Sequence, residues 1–141
     1  MTIRQASPRD FPAFARLVAL LWPDCEPDEL APLLESPEAA VFLAEEADHA
    51  IAFAQCQLRH DYVEGCETSP VGYLEGVFVE DGHRGRGVGK ALVSACQDWA
   101  KARGCHEFAS DCELDNTDSL RFHLKVGFQE ANRIICFKTQ L

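Results

Sequence analysis

The stretch Arg84-Gly85-Arg86-Gly87-Val88-Gly89 decides the reading of this chain. Before it, Val71 to Val79 (V-G-Y-L-E-G-V-F-V) is apolar, β-branched and aromatic, as a buried strand is. After it, Val88, Ala91, Leu92, Ala95, Cys96 and Trp99 recur at spacings of three and four, the stripe of an amphipathic helix. Strand, glycine-rich turn and helix therefore follow one another. The three glycines carry no Cβ where a ligand would otherwise meet side chains. The N–H groups of the helix's first turn point at open space, a setting that binds phosphate, and Arg84, Arg86 and Lys90 add positive charge.

Spacing separates this loop from two other phosphate binders. A Walker loop needs four residues before Gly-Lys and then Ser or Thr; here Gly85 is one residue too close to Gly89-Lys90, and Ala91 follows. A dinucleotide fingerprint is G-x-G-x-x-G, whereas this one is G-x-G-x-G.

Upstream, Thr2 to Gln5 is a candidate strand. Ser7-Pro8-Arg9-Asp10 has the signature of a helix start, with Phe14, Leu17, Val18 and Leu21 as the buried stripe and Trp22-Pro23 as its end. Asp24 to Glu35 is acidic and proline-rich, and is expected to hold one short helix. Val41 to Glu46 and Ala50 to Leu58 form a predicted hairpin turning at Asp48-His49. Arg59 to Pro70 is longer than a connection requires, and long loops in compact domains are often functional. Within the strand that follows, Glu75 interrupts an apolar run. A carboxylate there is either paired or facing a cleft, and Gly76 beside it marks a bulge or a close backbone approach.

Downstream, Glu107 to Ser110 is a short predicted strand ending in the acidic turn Asp111, Glu113, Asp115. Asn116 caps a helix over Thr117 to Val126, closed by Gly127. Asn116, Ser119 and His123 share one face of it, either lining a groove or meeting solvent. Phe128 to Glu130 and Ile134 to Thr139 are predicted as two final strands.

The 141 residues suffice for one domain, 1–141, with a substantial core. A net charge of −10 disfavours a general nucleic-acid binder and favours cationic substrates, although it serves solubility equally well. There is no apolar run of membrane length and no basic-then-apolar leader, so a cytoplasmic protein that does not engage membranes is expected. Seven cysteines without a C-x-x-C pair read as mostly buried free thiols, with Cys25 and Cys66 as the more exposed ones; no metal site is signalled.

Two separated features resemble the GNAT acetyltransferases. Arg84-x-x-Gly87-x-Gly89 fits the acyl-CoA pyrophosphate loop [Q/R]-x-x-G-x-[G/A]. Asn116, Ser119, His123, Gly127 and Phe128 fit N-x-x-[A/S]-x-x-x-Y-x-x-x-G-F, with histidine in place of tyrosine. The resemblance implies an α/β (α+β) fold: a mixed, splayed sheet flanked by helices, with acetyl-CoA as cosubstrate between two parting parallel strands. It places backbone groups of Val77 and Val79 on pantetheine, and Arg84, Gly85, Arg86, Gly87, Val88, Gly89 and Lys90 around the pyrophosphate. Asn116 and His123 then lie along the coenzyme. Tyrosine at the His123 position protonates the leaving thiolate in many members; His123 either donates that proton or positions the coenzyme.

A closer likeness covers most of the chain. Leu21-Trp22-Pro23, Arg59-His60-Asp61-Tyr62-Val63, Leu74-Glu75-Gly76, Ala109-Ser110-Asp111 and the His123 substitution resemble chromosomal-type aminoglycoside 6′-N-acetyltransferases, which are commonly homodimers. The likeness implies substrate contacts at Trp22, Tyr62, Glu75, Asp111 and Glu130, with Glu75 or Asp111 taking the amine's proton or holding the ammonium. Two other readings stand beside it. One is a GNAT enzyme acting on polyamines, small amines or peptide N-termini. The other is a CoA-binding module without catalysis.

Overall fold

The computed structural model describes all residues, 1–141. Five strands form one sheet in the order β1 (Thr2–Gln5), β2 (Ala39–Glu46), β3 (His49–Arg59), β4 (Val71–Val79) and β5 (Phe108–Ala109). β1 to β4 are antiparallel neighbours, while β4 and β5 run parallel. Three helices accompany the sheet: α1 (Phe11–Leu21), α2 (Val88–Ala102) and α3 (Thr117–Lys125).

Side-chain alternation sorts the helices onto the two faces of the sheet. Val41, Leu43 and Phe53 point to the side where α1 packs Phe14, Leu17 and Val18, with Phe14 edge-on to Phe53 at 5.4 Å. Ala40, Ala44, Ala52, Ala54 and Cys56 point to the other side, against Leu92, Val93, Cys96 and Trp99 of α2. The small residues sit on the strands and the large ones on the helix, so α2 lies close to the sheet without overpacking.

The N-terminal helix signature is shared between two pieces. Pro8–Asp10 is a 3-10 turn that runs into α1 at Phe11, and the Asp10 carboxylate accepts from the Ser7 N–H at 2.8 Å. Arg4 also grips that carboxylate through two bonds of 2.8 Å, which holds it ionised well below the usual carboxylate range. The single helix expected in the acidic segment is instead two 3-10 turns, Pro27–Glu29 and Ala31–Leu34; prolines at 27 and 32 prevent a continuous α-helical ladder.

The two final strands do not form. Residues after Gly127 carry no regular structure, and Ile134, Ile135 and Phe137 are 64%, 81% and 89% exposed. A β-branched, aromatic run becomes a strand only beside a partner edge. Here the chain leaves along the 61–66 loop, where Ala131 lies against Gly65 and Asn132 donates to Glu64 at 2.6 Å. All seven thiols are free. Cys56, Cys96 and Cys105 are buried, but Cys112 and Cys136 are the exposed ones, because the segments carrying them lie outside the core; Cys25 and Cys66 are half-buried. No helix is long and apolar enough to cross a membrane.

Candidate active site

The cleft is made where β4 and β5 part. Their ladder has two pairs, Gly72 with Phe108 and Tyr73 with Ala109. At the next position the contact passes to a side chain, as Ser110 Oγ lies 3.1 Å from the Leu74 carbonyl. Beyond it, β4 has no strand on that side. Across β3 the register jumps from Cys56–Leu74 to Gln55–Gly76, so Glu75 is the extra residue of a bulge. Bulging re-aims its side chain, which explains how a carboxylate stands in an apolar strand. The Glu80 N–H donates to the Ile51 carbonyl at 2.9 Å. By alternation the polar groups of Val77 and Val79 face the other way, toward the gap.

The glycine loop opens onto the same gap. Gly85 and Gly87 have φ of +77° and +81°, and no atom stands within 4 Å of a Cβ position at either. Gly87 is the N-cap of α2, whose first-turn amides have no intrahelical partner. An open floor, free amides and a helix N-terminus fit a diphosphate. Gly89 serves packing instead: a Cβ there would stand 2.8 Å from the Phe122 ring, so its absence lets α3 dock on α2. The arginines are already engaged. Arg84 donates to the Val79 carbonyl at 2.8 Å and pairs with Asp81 at 2.9 Å; Arg86 pairs with Glu46 at 2.9 Å and holds that carboxyl below its ordinary value. Lys90 is exposed.

The predicted carboxylates belong to one connected group. Both oxygens of Glu75 accept from Arg59, at 3.1 and 2.8 Å. The same guanidinium lies 3.4 Å over the Tyr73 ring, and the Tyr73 hydroxyl donates to Asp111. Burial, then the bond to Asp111, raises the Tyr73 hydroxyl far above its ordinary value, so it stays a donor. Pairing with Glu75 raises Arg59 in turn.

On α3, Asn116 caps the helix by accepting from the Ser119 N–H at 3.1 Å. His123 Nδ1 lies 2.7 Å from the Ser119 carbonyl, and its Nε2 lies 2.8 Å from Ser110 Oγ. Phe128 closes over the ring with centroids 5.2 Å apart. The polar face of α3 thus reaches the point where the strands separate.

With this geometry in place, residues 2–128 match the model of the acetyltransferase (GNAT) family. The chain belongs to the GNAT family. Among its relatives, the aminoglycoside N(6′)-acetyltransferase type 1 of Stenotrophomonas maltophilia is 46% identical over 143 residues, covering 99% of this chain and 94% of that protein. The enzyme of the same name from Serratia marcescens is 40% identical, covering 92% of each. The structure of AAC(6′)-Iy with the bisubstrate analog CoA-S-monomethyl-acetylneamine superposes with a TM-score of 0.94 at 38% identity, over 99% of this chain and 98% of that one. AAC(6′)-Ig of Acinetobacter haemolyticus gives 0.94 at 37%, over 100% and 99%.

Around this GNAT cleft, three neighbours were missed in the sequence. Arg59 and Tyr73 are ordinary strand residues until the register places them beside Glu75 and Asp111. Glu64 joins the outer wall: it accepts from Tyr62 at 3.2 Å and from Asn132 at 2.6 Å, tying the 61–66 loop to the segment that carries Glu130. Tyr62 itself is 77% exposed, and Glu130 pairs with Arg133. Val63 of this loop packs on Tyr73, which links the outer wall to the carboxylate group.

Trp22 covers Gly76. Its ring packs edge-on to Phe53 at 6.3 Å, and a Cβ on Gly76 would stand 2.3 Å from its Cη2. Gly76→Ala therefore displaces the indole. Overpacking of this kind costs roughly 1–3 kcal/mol, to be read as a lower urea midpoint, accompanied by a higher KM for the amine substrate. An unchanged midpoint and KM would remove Trp22 from the wall of the cleft.

Proposed function

We propose that this chain transfers the acetyl group of acetyl-CoA to the 6′-amine of aminoglycosides, and so confers resistance to them. The observation that carries the reading is that Glu75 and Asp111 stand at the parting of β4 and β5, with the glycine loop following at the end of β4. Substrates with several ammonium groups meet carboxylates there, and the relatives named above bear the same activity in their names. Trp22 and Tyr62 offer ring faces to the sugars, and Glu130 and Glu64 extend the negative wall outward.

Acetyl-CoA supplies the activated acetyl group. Gly85, Gly87 and the first turn of α2 would hold its diphosphate. Val77 would pair with pantetheine, since the Val79 carbonyl is already taken by Arg84. An amine attacks only after losing its proton. Glu75 gives both oxygens to Arg59, and Asp111 accepts from Tyr73; these carboxylates hold and orient the ammonium. The proton released as the amine attacks falls to His123, which stands at the point of separation. A panel measuring thiol release with kanamycin, tobramycin, spermidine and a basic peptide tests the reading. Turnover is expected with the two drugs; spermidine or peptide as the better substrate would favour the broader amine enzymes, and no release at all a CoA-binding module.

We also propose that the protein is a cytoplasmic homodimer. Seven free thiols suit a reducing compartment. The apolar stretch Ile134 to Phe137 lacks cover within one chain. Light scattering should give the mass of two chains, and removal of Ile134 to Leu141 should reduce it to one. A full-length monomer would contradict this.

A further inference from the structure

We propose that Ser110 is a catalytic proton relay between the cleft and His123, whose Nδ1–H tautomer is held by the Ser119 carbonyl; this rests on the acetyl-transfer reading above. A carbonyl oxygen only accepts, so at 2.7 Å from the Ser119 carbonyl the ring's Nδ1 carries hydrogen. Neutral His123 therefore has a lone pair on Nε2, and Nε2 faces Ser110 Oγ at 2.8 Å. In this state histidine receives a proton; it has none to give on that side.

The Ser110 hydroxyl has a single hydrogen and two acceptors, Nε2 at 2.8 Å and the Leu74 carbonyl at 3.1 Å. With a neutral ring the hydrogen goes to Nε2. With an imidazolium the ring donates to Oγ, and the hydroxyl turns to Leu74. Either protonation state leaves the ring satisfied, and only the hydroxyl rotates. Leu74 directly precedes the bulged Glu75, so the rotor stands where β4 and β5 separate.

The transfer closes as follows. The amine enters the step neutral, its ammonium proton having gone to solvent; as its nitrogen bonds the acetyl carbon one N–H breaks, and that proton passes to Oγ while Ser110 gives its own to Nε2. The ring is then an imidazolium, stabilised by the Ser119 carbonyl. When the carbon–sulfur bond breaks, its electron pair stays on sulfur. The Nε2 proton returns to Oγ, and the hydroxyl proton goes to the thiolate. The products are an amide and a thiol, with Ser110 and His123 restored. His123 is thus base first and acid second.

The first test is spectroscopic and needs no turnover. In ¹⁵N-histidine-labelled protein, with His123 assigned by comparison with His123→Gln, the ring should show the Nδ1–H tautomer when neutral. In Ser110→Ala the Nδ1–H tautomer should persist, since the Ser119 carbonyl that holds it is untouched. The second test is kinetic. Ser110→Ala should lower kcat by roughly 10²-fold with KM for acetyl-CoA within about twofold, and Ser110→Thr, which keeps the hydroxyl, should restore most of it. An Nε2–H tautomer in the unaltered protein would overturn the proposal, as would equal kcat in the two Ser110 variants and the parent. Failure of the acetyl-transfer reading would show instead as no product from any amine, with the tautomer unchanged.

Discussion

Gly87→Glu should abolish acetyl-CoA binding in a protein that still folds. Gly87 is the N-cap of α2 with φ at +81°, on the open floor of the loop. A carboxylate placed about 4 Å from a diphosphate charge costs about 4 kcal/mol at an effective dielectric of ~20. That corresponds to a loss of roughly 10³-fold in affinity. Backbone strain contributes separately, because a side chain in this left-handed conformation costs about 1–2 kcal/mol. Gly87→Ala isolates the strain: it should lower stability while retaining most of the affinity. Calorimetry on both variants is the measurement. Unchanged affinity in folded Gly87→Glu would remove the loop from the coenzyme site.

Glu75→Gln should lower kcat/KM for kanamycin or tobramycin by roughly 30- to 150-fold, about 2–3 kcal/mol, the lower end of the range for removing one partner of a hydrogen-bonded charge pair. Two effects add. The substrate's ammonium loses its carboxylate, and Arg59, freed from its two bonds, becomes a repelling cation in the cleft. The double variant Arg59→Met, Glu75→Gln should therefore recover part of the loss, which a purely structural role for Glu75 would not predict. Asp111→Asn should act in the same direction more weakly, since Asp111 is exposed. Acetyl-CoA affinity should be unchanged in all three. Raising salt should increase the unaltered protein's KM for these drugs by screening the attraction. A salt-independent KM would contradict the electrostatic account.

What could be read in the sequence was whatever depends on local pattern. The strand before the glycine loop, the stripe of α2 and the Asn116 cap are all set by neighbours within a few residues, and each stands where its pattern placed it. Gly76 signalled a bulge or a close backbone approach; the bulge is present and falls on Glu75, while what approaches Gly76 is the Trp22 side chain. The partners of Glu75 were not legible, because Arg59 and Tyr73 reach it only through the β3–β4 register and the pleat. The same holds for Ser110 and His123, thirteen residues apart, which meet only because α3 folds back over the end of β5. Arg84 and Arg86 are paired as well, Arg84 with its near neighbour Asp81 and Arg86 with Glu46, which only the fold brings to it. The last strands do not form because the segment runs along the 61–66 loop and not along the open edge of β5.

The central claim is that a cationic aminoglycoside presents its 6′-amine to the thioester between β4 and β5. Mass spectrometry and NMR of the product formed from tobramycin and acetyl-CoA test it most directly. A single added acetyl group on the 6′ nitrogen is the predicted result, together with poor use of gentamicin components whose 6′-amine is already methylated. An acetyl group on any other nitrogen, or no tobramycin product beside rapid acetylation of spermidine, would contradict it.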